Sequence, residues 1–179
     1  NRSLYPVGKS VKWLPDTDKY LFTDNENPNN LMIQDVNAEK AEVLITLDQV
    51  NSYLNQAGLD SIKRLPNLTW IDATKAYYYS FDQKNNCVDL NLLDIDANSI
   101  KKVTSIPSNA ENHTITLPSM KVAYTIENNL YFANGEKHVQ VTDNPENVVA
   151  GQSVHRNEFA INGGIFWSPD GNKLAYYNM

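Results

Sequence analysis

A single cysteine, Cys87, stands in the 179 residues, which excludes an internal disulfide and any metal site built from several thiolates. Long apolar runs are missing as well: no stretch approaches the roughly 18 residues that a membrane-spanning helix needs. Positive charge is sparse and scattered, with 15 Lys and Arg against 21 Asp and Glu and a formal net charge of -6. Such a surface does not attract nucleic acid or an anionic membrane, and neither is expected as a partner. The sequence begins at Asn1 with no Met and no charged-then-apolar leader, so any signal peptide is expected to have been removed or to lie outside this stretch.

Catalytic motifs are missing in the same way. Gly151-Gln152-Ser153-Val154-His155 starts like a nucleophile elbow, but the second glycine of Gly-x-Ser-x-Gly is absent and no strand-to-helix apolar context surrounds it. Ser153 is therefore not expected to be a nucleophile, and no catalytic residue is assigned. His155 and Glu158 lie three apart, yet a zinc site needs at least three protein ligands. No metal and no cofactor is expected.

What the chain does contain is a recurring phrase of aromatic, turn and strand. Trp13-Leu14-Pro15-Asp16 precedes Lys19-Tyr20-Leu21-Phe22, and Trp167-Ser168-Pro169-Asp170-Gly171 precedes Lys173-Leu174-Ala175-Tyr176-Tyr177. Trp70-Ile71-Asp72 and Leu117-Pro118-Ser119 repeat it more loosely. Marks at 13, 70, 117 and 167 give a period of about 50 residues, the size of one stacked supersecondary unit. After each mark come β-rich runs split by turn clusters, as in Tyr20 to Thr23, Asp24 to Asn30 and Leu31 to Val36. The fold expected is all-β, a fragment of a β-propeller over 1–179. It would hold about three four-stranded antiparallel blades and the start of a fourth, with blade starts near 13, 70, 117 and 167.

One segment departs from the β pattern. Thr46-Leu47-Asp48-Gln49 offers a capping box, Leu47, Val50 and Leu54 share a helical face, and Gly58 can end the helix. A short helix over about 47 to 57 is predicted, inserted between blades.

The run Gly151 to Phe159, with His155-Arg156-Asn157-Glu158-Phe159, followed by Phe166-Trp167-Ser168-Pro169-Asp170-Gly171, is similar to a signature of the dipeptidyl peptidase IV family. In that family a His-Arg-x-Glu-Phe loop precedes a Trp-Ser-Pro-x-Gly blade start. The early Trp-x-x-Asp phrase, the helical insertion and Ile106-Pro107-Ser108-Asn109 are collinear with its first blades.

The resemblance implies a substrate-recognising and gating propeller of a serine dipeptidyl peptidase that releases N-terminal Xaa-Pro dipeptides. The α/β-hydrolase domain bearing the Ser-Asp-His triad would lie downstream, so these residues alone should be inactive. Its implied partners are the peptide substrate's N terminus, that downstream domain and a second subunit in a homodimer. Its implied compartment is periplasmic or otherwise exported.

In the family, two adjacent acids of the loop bind the substrate's free α-amino group. Glu158 matches the second acid and Asn157 occupies the place of the first, with His155 and Arg156 in supporting roles. Asn accepts a hydrogen bond without bringing charge, so weaker amine binding is expected, or a second acid contributed by the downstream domain. The resemblance associates that split arrangement with members that release tripeptides, the prolyl tripeptidyl peptidases. Many relatives also project an arginine from the second blade. Residues 74 to 100 contain none, and Lys84 is the nearest cation, without the bidentate fork. Two other readings stand beside this one: a non-catalytic propeller serving protein interaction, and a periplasmic scaffold related to translocation-assembly propellers. The latter shares the Trp-Ser-Pro-Asp-Gly phrase but lacks the His-Arg-x-Glu-Phe loop.

Overall fold

Short strands joined by turns rich in Asn, Asp and Gly build nearly everything in the computed structural model, which describes residues 10–117, 119–153 and 163–179. Among these residues the first sheet contains β1 (Lys12–Trp13), β2 (Lys19–Thr23), β3 (Asn30–Asp35) and β4 (Glu42–Thr46). The second contains β5 (Thr69–Trp70), β6 (Lys75–Asp82), β7 (Cys87–Asp94) and β8 (Ser99–Pro107). The third contains β9 (Glu111–Thr116), β10 (Lys121–Ile126), β11 (Asn129–Asn134) and β12 (Lys137–Gln140). Finally β13 (Ile165–Trp167) pairs with β14 (Leu174–Tyr176).

Each four-stranded sheet takes its strands in chain order, the up-and-down meander of a propeller blade. The chain is thus an all-β propeller portion, with three four-stranded blades and a further two-stranded hairpin among the described residues. The aromatic marks do not precede the first strands but belong to them: Trp13 ends β1, Trp70 ends β5 and Trp167 ends β13. These strands are two or three residues long, too short for alternation to reveal them in sequence.

By internal packing the chain divides into two compact units, Asn1–Tyr78 with Leu92–Lys101, and Tyr79–Asn91 with Lys102–Met179. In the first, α1 (Leu47–Gln56) follows β4 directly and occupies the segment predicted as a helix. Its N-terminus is the expected capping box. The Gln49 amide donates to Thr46 Oγ1 at 3.2 Å and the Thr46 amide to Gln49 Oε1 at 2.9 Å, an arrangement that stabilises by about 1 kcal/mol.

At the C-terminus Gly58 adopts φ +71. Its amide reaches Asn55 O and the Leu59 amide reaches Leu54 O, the paired bonds of a Schellman motif. Val50, Tyr53 and Leu54 then pack with Ile45, Leu68, Ala76, Tyr78, Leu93 and Ile100 into one core. Burying Val50 and Leu54 contributes roughly 1.5 to 3 kcal/mol each.

In the second unit β10 is the most buried strand, with Val122, Ala123, Tyr124 and Thr125 almost inaccessible to solvent. Its register with β9 shifts between Ala123, opposite Thr114, and Thr125, opposite Glu111. Asn112 and His113 together therefore face Tyr124, a bulge in which Asn112 takes φ +50 and donates from Nδ2 to Thr125 Oγ1 at 2.9 Å. Ala123, Leu130, Ala150 and Ile165 form a core joined by Phe132, Trp167 and Leu174.

Candidate functional site

His155, Arg156, Asn157 and Glu158 lie outside the described residues. What the structure gives is the ground from which their segment departs and to which it returns. Val149 and Met179 exchange both backbone hydrogen bonds, each at 2.8 to 2.9 Å, and Ala150 bridges Asn178. The Gly151 amide donates to Tyr177 O at 2.8 Å. On the far side of the segment, the Tyr177 amide donates to Gly164 O at 2.9 Å, and Ile165 pairs with Tyr176. Gly151 and Gly164 thus both face Tyr177, one on each side of the segment that holds the undescribed residues.

Local chemistry fixes this base. Gly151 adopts φ +72, a region glycine enters without penalty, and sits against Thr125 and Ile165. Gln152 Nε2 donates to Glu127 O at 3.3 Å, in the β10–β11 turn. The chain before Gly151 is held through asparagines. The Asn144 amide donates to Asn129 Oδ1 at 2.7 Å, Asn144 Nδ2 to Asn178 Oδ1 at 3.2 Å, and Asn128 Nδ2 to Glu146 O at 2.7 Å.

The Trp-Ser-Pro-Asp-Gly phrase proves to be a turn device. Ser168 Oγ donates to Asp170 Oδ1 at 2.5 Å and accepts from the Lys173 amide at 2.9 Å, while the Gly171 amide closes onto Ser168 O at 2.8 Å. The Ser168 hydroxyl, followed by the Asn172 amide, holds the Asp170 carboxyl below its ordinary value. Trp167 Nε1 donates to Thr114 O at 3.4 Å and Lys121 Nζ to Gly171 O at 3.0 Å, tying the β13–β14 hairpin to the third blade.

Lys84 is exposed in the turn after β6, where Asp82 Oδ1 accepts the amides of Lys84 at 2.9 Å and Asn85 at 3.1 Å. The Asn85 side chain, first among several donors, pulls the Asp82 carboxyl down. Among the described residues no group of three or more His, Cys, Asp and Glu gathers to hold a metal ion.

Sequence reasoning missed a polar stripe inside the second blade. Asp89, 7% exposed, accepts from Ser105 Oγ at 2.5 Å and lies 3.8 Å from Lys102 Nζ. Cys87 Sγ is 3.6 Å from Asp89 Oδ1, and Asn91 Nδ2 donates to Ser80 Oγ at 2.9 Å. Burial pushes the Cys87 thiol up and the Asp89 charge adds to it, the opposite of an activated nucleophile. The available signal was polar residues at period two, 87, 89 and 91, within a leucine-rich strand. The stripe is internally paired and holds the sheet together.

Comparison with known proteins adds the following. Residues 65–179 match the family described as dipeptidyl peptidase IV (DPP IV) N-terminal region. A candidate dipeptidyl aminopeptidase IV from Bacteroides ovatus is similar over 96% of this chain and 23% of its own, at 30% identity and TM-score 0.70. Porphyromonas gingivalis dipeptidyl peptidase 4 is similar over 93% and 24% respectively, at 19% identity and TM-score 0.54. An oligogalacturonate lyase shares the fold over 94% of this chain and 46% of its own, at 15% identity and TM-score 0.50. The chain spans about a quarter of the length of the first two structures.

Proposed function

The chain belongs to the dipeptidyl peptidase IV N-terminal region family, and from that premise we propose that it is the substrate-recognising part of the propeller of a serine exopeptidase. The enzyme would release Xaa-Pro dipeptides from peptide N termini. The observation that carries the reading is the family match over residues 65–179, which takes in the His155-Arg156-Asn157-Glu158-Phe159 phrase.

The chemistry suits an amine. A peptide's α-ammonium loses hydration on entering a cavity, and a carboxylate at hydrogen-bond distance replaces it with a charge-assisted contact. An internal peptide segment has no such cation to offer. Glu158 supplies the charge in this reading, Asn157 a neutral acceptor, and His155 and Arg156 support them. Acyl transfer belongs to a hydrolase domain outside these residues. Export to the periplasm and assembly as a homodimer complete the proposal.

The test is Glu158→Ala in the intact enzyme. A charged hydrogen bond is worth about 1.5 to 3 kcal/mol, so kcat/KM on an Xaa-Pro substrate with a free amine should fall at least about tenfold. Unchanged kinetics would remove Glu158 from the site.

A second reading, release of tripeptides, is favoured by the uncharged Asn157 where relatives carry an acid. Mass spectrometry of the released product from a peptide with proline at both the second and third positions separates the two. The lyase likeness supports the fold alone, since one scaffold hosts unrelated chemistries.

A further inference from the structure

We propose that the third blade carries an acid-sensitive clasp, in which His113 and His138 flank the stacked pair Tyr124 and Tyr131 and loosen β9 and β12 when they are protonated. All the groups involved belong to the second compact unit.

Strand register gathers them on one face of the sheet. Tyr124 lies opposite Tyr131, the rings stacked at 5.6 Å with their planes 12° apart. His138 lies opposite Ala133, two positions along β11 from Tyr131, and so shares that face. Thr114 pairs with Ala123 on the other face, and the bulge sets His113 on the Tyr124 side, edge-on to Tyr79 of β6 at 4.8 Å. The four strands thus supply a band that runs His113, Tyr124, Tyr131, His138.

Each end of the band depends on a neutral imidazole. Tyr124 is 2% exposed, and its hydroxyl meets His138 Nδ1 at 2.9 Å. A buried hydroxyl proton needs an acceptor, and Nδ1 serves as one only while it is unprotonated. His138 itself is exposed, so acid reaches it without prior opening. Once protonated, the ring donates from both nitrogens. The Tyr124 oxygen can accept, but its own proton is left buried without a partner.

At the other end, burial alone pushes the His113 imidazole down. A depressed imidazole leaves the fold at full stability above roughly pH 6.5, and stability is lost as the pH falls from there through the folded value. The groups that face the two histidines are uncharged near neutrality: Tyr79 from β6, Tyr124 from β10 and Tyr131 from β11. From β8, Thr104 Oγ1 donates to Gly135 O at 2.7 Å, and Lys102 of that strand is held 3.8 Å from Asp89. Glu111 and Lys137 sit opposite Thr125 and Asn134, on the other face, and Glu136 stands in the exposed turn before β12.

The test reads amide protection in the intact protein at about pH 7.5 and about pH 5.5, corrected for the intrinsic pH dependence of exchange. Protection over Glu111–Thr116 and Lys137–Gln140 should fall at least about fivefold at the lower pH, against less than about twofold over Lys19–Thr23 and Asn30–Asp35. Tyr124→Phe removes the stranded proton and should suppress the response of β12. His113→Phe keeps a ring against Tyr79 but cannot titrate, and should suppress the response of β9. The double variant should be flat.

Equal protection at the two pH values, a fall shared evenly with the first blade, or a double variant that still responds would overturn the inference. Should a variant fail to fold, NMR titration of the two imidazoles in the unaltered protein decides. His113 should then titrate below the ordinary value near pH 6.5, with the β9 and β12 amide shifts following the two rings. Amide shifts in those strands that stay fixed while the imidazoles titrate overturn it equally.

Discussion

The Tyr53 hydroxyl donates to Asn98 Oδ1 at 2.6 Å, joining the buried face of α1 to the turn between β7 and β8. Asn98 itself sits at φ +50, a conformation asparagine tolerates better than most residues, and its amide closes the turn onto Ile95 O at 3.2 Å. Tyr53→Phe keeps the packing and removes this bond, a loss of about 1 kcal/mol. Amide exchange across Leu47–Gln56 should accelerate about fivefold, with core strands elsewhere unaffected.

Asp72 carries a pH dependence of defined sign. Its Oδ1 accepts the amides of Thr74 at 2.8 Å and Lys75 at 2.7 Å, and these bonds, Thr74 first, hold its carboxyl below the ordinary value despite partial burial. A depressed folded-state pKa stabilises in full above roughly pH 5, where the unfolded aspartate is ionised too, and the gain disappears as pH falls through the folded value. Asp72→Ala should therefore destabilise the β5–β6 turn by about 1 to 2 kcal/mol at pH 7 and by less near pH 3. Exchange rates of the Thr74 and Lys75 amides at the two pH values read the difference.

Gly171 stands at φ +66, and a Cβ there would meet Thr116 Oγ1 at 2.6 Å. Gly171→Ala combines left-handed strain with that clash, about 1 to 3 kcal/mol. The β13–β14 hairpin should lose protection about tenfold in hydrogen exchange, and the Lys121 contact to Gly171 O should loosen. Asn172→Ala, outside the strained position, is expected to do far less.

Cys87 should alkylate slowly. Burial and then the Asp89 carboxylate disfavour its thiolate, so iodoacetamide at pH 8 should react several-fold more slowly than with free cysteine. Asp89→Asn removes the charge and should speed the reaction. A rate equal to that of free cysteine in the unaltered protein would contradict the burial described for the polar stripe.

Features written within a few residues of each other were legible in the sequence. The Thr46 and Gln49 cap, the Gly58 terminator and the Ser168, Asp170 and Gly171 turn each depend on neighbours at most about five positions away. The blade period was readable because each turn phrase recurs. Features set by strand register were not legible. Asp89 finds Ser105 and Lys102 across the sheet, and nothing local announces that pairing. Gly164 reads as an ordinary loop glycine until Gln152, beyond the whole insertion, is seen against it. The residues proposed for the amine come from a family phrase, not from periodicity, and lie outside the described residues.

Because Gly151 and Gly164 meet at one rung, the stretch between them is a cassette. Its length and sequence can change without shifting how Leu174–Tyr176 pairs with Ile165–Trp167, since loop-closure entropy grows only slowly with length. A lineage built on this blade can exchange the residues between the two glycines by splicing, leaving the pairing of the scaffold strands untouched.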